Sequence, residues 1–117
     1  MTREQFNVLI EKMEEVEHKL LVGKGKEYTR RSKDILANFK RGAKEHPRLN
    51  PMDVWLIYFN KHVDSINTYI YAKGETTSDE PIQSRIKDAR NYLMLFAAMV
   101  DELEKLGFDE FQKIQDS

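Results

Sequence analysis

The sequence predicts an all-α fold, an antiparallel bundle of four main helices with a short C-terminal helix. Three observations carry that reading. Apolar residues recur at helical spacing through most of the chain, the five glycines and three prolines fall mostly between those periodic segments, and no segment reads as a strand. With 117 residues there is length for one core, so residues 1–117 are read as a single helical domain.

The first helix begins where Thr2 and Gln5 are spaced as a capping box, and Phe6, Leu9, Ile10, Met13, Val16, Leu20 and Leu21 give its apolar stripe over about residues 3 to 22. Ser32 is placed to cap a shorter second helix carrying Ile35, Leu36, Phe39 and Ala43, which ends before Pro47. Asn50, Pro51 and Asp53 are the clearest start signal: a favoured cap, a residue suited to the first helical position, and a carboxylate at the positive helix end. That third helix continues through Trp55, Phe59, Val63, Ile66 and Ile70 to Gly74, and the polar run from Glu75 to Asp79 reads as a loop. Pro81 opens the fourth, whose apolar face comprises Ile82, Ile86, Ala89, Leu93, Phe96, Val100 and Leu103, with Gly107 at its C-terminal cap. Phe108, Phe111 and Ile114 mark a last short helix that packs back or joins a partner chain.

Composition narrows the function classes. Apolar residues make 40% and charged residues 33%, which excludes a disordered tail, and the longest apolar run, Tyr92 to Val100, is too short to span a bilayer. The start of the chain has no apolar signal core, so a cytoplasmic protein with no membrane partner is expected. Zero cysteines leave only carboxylates and histidines as metal ligands. Net charge is −1 but unevenly spread: residues 23–48 carry nine basic side chains against three acidic, residues 75–117 five against ten. The first stretch, including Arg30, Arg31, Lys33, Lys40, Arg41 and Lys44, has the charge of a nucleic-acid contact, but a solvated face is the simpler account, and nucleic acid is not the expected partner.

Chemistry in a bundle is built from polar side chains on apolar helix faces. Glu17 lies about 20° from Phe6 and Ile10 around the first helix, and His62 falls between Phe59 and Ile66 on the third. On the fourth, Arg85 lies within about 40° of Ala89, with Asp88 beside Tyr92. Each would be costly to bury alone, and such groups tend to find one another. The simpler readings are a snorkelling Glu17, a satisfied core His62 and a structural Arg85–Asp88 ion pair. The segment Gly23 to Arg31 adds cations, glycines and Tyr28, a ring able to stack on a base, without the order of a Walker loop.

Lys24 with Glu27-Tyr28, then Asn38-Phe39, Lys61-His62, and Glu80-Pro81-Ile82 followed by Arg85, Asp88, Asn91 and Tyr92 resemble small phage and prophage domains associated with nucleotide metabolism and nucleotide modification. Through them the chain is distantly similar to the MazG-like all-α nucleoside triphosphate pyrophosphohydrolases, over roughly residues 15 to 102. The resemblance implies a phage-associated nucleotide-binding protein, with magnesium as cofactor and cleavage between α- and β-phosphates as the activity. Glu17 and Asp88 would then be the metal ligands, Glu17, His62 and Asp88 the catalytic groups, and Lys24, Glu27, Tyr28, Arg85 and Tyr92 the substrate-binding groups. Glu14, Glu15 and Glu17 match the family's first acidic element only in part, and Arg85 stands where that family places a metal-binding carboxylate. This departure favours an alternative: a non-catalytic module that sequesters a nucleotide or inhibits a host protein. Consecutive Trp55, Leu56, Ile57, Tyr58 and Phe59 point all round one helix, so a homo-oligomer is also expected.

Overall fold

The computed structural model describes residues 1–23, 32–75 and 81–115, and among these all regular structure is helical. The helices are α1 (Arg3–Gly23), α2 (Ala37–Glu45), α3 (Pro51–Tyr71), α4 (Ile82–Leu106) and α5 (Phe108–Phe111). No helix among the described residues is long and apolar enough to cross a membrane.

Local chemistry sets most of these boundaries. At α1 the Thr2 N–H donates to Gln5 Oε1 (2.8 Å) and the Gln5 N–H to Thr2 Oγ1 (3.1 Å), so the capping box forms. At α3 the Asn50 side chain accepts from the Met52 and Asp53 N–H groups, while Asp53 accepts from the Asn50 N–H at 2.9 Å. Asn50→Ala is therefore expected to cost about 1–2 kcal/mol, read as a lowered urea midpoint. At the far end Lys73 (φ 54°) and Gly74 (φ 84°) turn the chain out of α3, and Gly107 (φ 80°) does the same after α4, its N–H donating to the Leu103 carbonyl.

The second helix differs from the sequence expectation. Ser32 does not cap it: the Ser32 hydroxyl accepts from the Asp34 N–H, and the Asp34 carboxylate accepts from the Leu36 N–H. These two local turns use the residues before Ala37, so α2 is only nine residues long and Ile35 is left largely exposed.

Leu36, Phe39, Ala43, Val54, Trp55, Met99 and Phe111 form the buried core, drawn from α2, α3, α4 and α5 and the turn before α2. Trp55 stacks on Phe59 (ring centroids 4.8 Å) and against Phe96 (4.5 Å), and its indole N–H donates to the Tyr92 carbonyl at 2.7 Å. The next contact seven residues along α3, His62, meets Tyr92, four residues back along α4, so these two helices run antiparallel. α2 crosses α3 closely at Gly42, where a side-chain Cβ would come within 3.1 Å of a Val54 methyl.

Beside this core lies a buried charge cluster. The Lys40 ammonium, fully out of solvent, donates to Asp34 Oδ2 (2.5 Å) and Glu102 Oε2 (2.8 Å) and sits over the Phe111 ring at 5.6 Å. Asp34 Oδ2 also accepts the Gln115 N–H at 2.9 Å. Lys40 is thus removed from the basic surface that its neighbours in sequence suggest; its charge is consumed by α4 and by the turn before α2.

α1 stands apart. Its main neighbour is α4, it contributes nothing to the core, and none of residues 3–22 is fully buried. The four main helices expected to share one core are therefore a core of α2, α3 and α4 sealed by α5, with α1 laid along α4. The radius of gyration, 16.5 Å, exceeds the ~13 Å of a compact domain of this size, and the long dimension is 46 Å.

Candidate functional site

α4 presents polar residues to two sides, and the sequence-predicted site residues divide between them. On the side toward α3, Tyr92 lies about 20° from Arg85 and about 40° from Asp88 around the helix, so the three form one stripe. The His62 ring, buried on α3, packs on Tyr92 with centroids 4.9 Å apart and planes inclined at 44°. Phe39 meets the same tyrosine edge-on at 6.2 Å. Arg85 and Asp88 are each half-buried, about two turns and one turn, respectively, further toward the start of α4. The structure thus brings His62 and Tyr92 into contact and sets Arg85 and Asp88 in line with them.

Glu17 lies on the other side. Its carboxylate, 13% exposed, is 3.0 Å from the Arg90 guanidinium across the α1–α4 interface. Oε2 is buried and accepts no hydrogen bond, so this is a charge contact without donor alignment. The pair lines a groove of about 450 Å³ whose walls include Leu9, Met13, Val16, Lys12 and Lys87.

Arg90 lies two residues beyond Asp88, hence about 160° away around α4. Glu17, held by Arg90, therefore meets α4 on a different side of the idealised helix from Asp88. Among the described residues no group of three or more His, Asp or Glu side chains is arranged to hold a metal ion. Lys24, Glu27 and Tyr28, the remaining predicted binding residues, lie outside the described residues.

Two features escaped the sequence. One is Arg90: a covered carboxylate is stabilised by a nearby cation, and α4 offers only four. The Lys40 cluster joins residues 34, 40, 102 and 115, and no helical period links those positions.

Compared with known proteins, the chain matches no family model, no curated protein and no solved structure.

Proposed function

We propose that the protein binds a nucleotide or nucleotide-derived phosphate ester, without turnover, along the α3-facing stripe of α4. The observation that carries this reading is the buried His62 ring on Tyr92, with Arg85 and Asp88 continuing the same stripe. Flat rings suit a base, a guanidinium suits phosphate oxygens, and a carboxylate beside them accepts from base or sugar donors. The family resemblance adds Lys24, Glu27 and Tyr28 to this set.

Binding is favoured over hydrolysis by the disposition of the carboxylates. Glu17 is engaged by Arg90, across α4 from Asp88, and this pairing disfavours a magnesium ion shared by the two carboxylates. The hydrolytic reading, with Glu17, His62 and Asp88 as catalytic groups and magnesium on the two carboxylates, requires Glu17 to leave Arg90. Glu17 Oε2 accepts no hydrogen bond there, which is the observation in its favour.

Isothermal titration with nucleoside mono- and triphosphates, with and without magnesium, tests the proposal. Arg85→Ala should weaken binding about tenfold or more while leaving the helical circular dichroism intact, since a charged hydrogen bond to phosphate contributes about 1.5–3 kcal/mol. Unchanged affinity in Arg85→Ala removes the phosphate contact. Release of pyrophosphate from a bound triphosphate would establish the hydrolytic reading instead.

A further inference from the structure

α1 leaves part of its apolar stripe open among the described residues. Phe6 is 42% exposed and Val16 37%, and Leu9, Ile10, Met13 and Leu20 are covered only in part. On α4 the side that meets α1 runs on past Arg90 into Leu93 and Met94, each about half exposed. A 21-residue helix draws most of its stability from packing its apolar face rather than from its own hydrogen bonds. Here that packing is incomplete.

The geometry points to a second copy of this chain as the occupant, with the partner's α1 seated in the groove between α1 and α4 and the same contact repeated about a twofold axis. Charge favours this choice. α1 carries Glu4, Glu11, Glu14, Glu15 and Glu17 against Arg3, Lys12 and Lys19, whereas the side of α4 that meets α1 carries Lys87 and Arg90. The groove wall presents Lys12 and Lys87, neither with an ion pair or hydrogen bond to a described residue, and an incoming acidic, amphipathic helix supplies both carboxylates and apolar side chains.

Size agrees as well. α1 is about 31 Å long, and with α4 alongside it presents a face of roughly 30 by 20 Å, about 600 Å², at the lower end of the ~600–1,000 Å² per partner that a stable dimer buries. A twofold arrangement closes on itself, so the surface is consumed without leaving an edge for further growth. Pairing through α1 also accounts for the elongation of the single chain, whose protruding helix becomes the centre of the pair. The face differs from the Leu56–Tyr58 surface of α3, which the sequence marks for the same purpose and which is also about half exposed.

Sedimentation equilibrium on the full chain at micromolar concentration tests this. The expected mass is twice the 13.8 kDa of one chain. Met13→Asp, which places a charge in the α1 stripe away from the core, should reduce the mass to that of a monomer with helical circular dichroism largely retained. Ile57→Asp should leave the dimer intact. Should Met13→Asp fail to fold, Lys12→Glu, a surface reversal in the groove wall, should raise the dissociation constant about tenfold. A monomer throughout the concentration range overturns the proposal, as does a dimer that survives Met13→Asp and dissociates in Ile57→Asp. Arg85→Ala should stay dimeric, so failure of nucleotide binding and failure of this interface are separate results.

Discussion

Replacing Lys40 with Ala should lower the unfolding free energy by about 3–5 kcal/mol, measured by urea denaturation followed by circular dichroism. The ammonium is fully buried between Asp34 and Glu102, and its loss strands two carboxylates close together in a poorly hydrated site. Asp34 retains the Leu36 and Gln115 N–H groups, but two amide donors do not neutralise a carboxylate pair. Glu102→Gln should cost much less, because that side chain keeps 21% exposure and its amide oxygen still accepts from Lys40. Surface pairs provide the contrast. Hydrogen bonds to Asp101 and Glu110 hold the Lys105 and Lys113 ammonium groups above their ordinary value of 10.5. That contribution is present below pH 10.5 and is lost only as pH rises through the higher folded values; with both groups in water, Lys105→Ala and Lys113→Ala should leave the urea midpoint at pH 7 within measurement scatter.

Trp55→Ala should cost about 3–5 kcal/mol by the same assay, the range for removing a large buried aromatic. The substitution empties the space between Phe59 and Phe96 and removes the indole N–H that reaches the Tyr92 carbonyl. Trp55→Phe keeps a ring in the stack and loses the hydrogen bond, so a penalty nearer 1 kcal/mol is expected. Trp55 is the only tryptophan, so its fluorescence in the unmodified protein reports separation of α3 from α4 directly. In Arg85→Ala that transition should stay cooperative and shift by no more than about 1 kcal/mol, which separates a binding defect from a folding one.

The start of α3 was readable because every component of its cap is local: Asn50, Pro51 and Asp53 interact within four residues, and the structure reproduces that box. Ser32 looks equally like a cap in sequence, but its hydroxyl has a nearer donor in the Asp34 N–H, and the next turn is tied by Asp34 itself. Helical projection also placed Glu17 inside an apolar stripe, and its side chain is indeed mostly covered. What projection could not supply was the partner, because angular position on one helix says nothing about which side of α4 comes to meet it. Lys40 is the extreme case. Within a run of nine basic residues it looks solvated, and only contacts 6 and 62 residues away in sequence reveal otherwise.

The C-terminal contacts bear on the order in which this chain can fold during synthesis. α1 emerges first, yet it has little to pack against until α4 exists, and α4 ends at Leu106. The core then still lacks Phe111, and Asp34 still lacks the Gln115 N–H, so the cluster around Lys40 closes only after residue 115 has left the ribosome. A polypeptide halted at residue 106 therefore holds nearly all of the described helical sequence but leaves Lys40 and the core open to water, and the next nine residues close both.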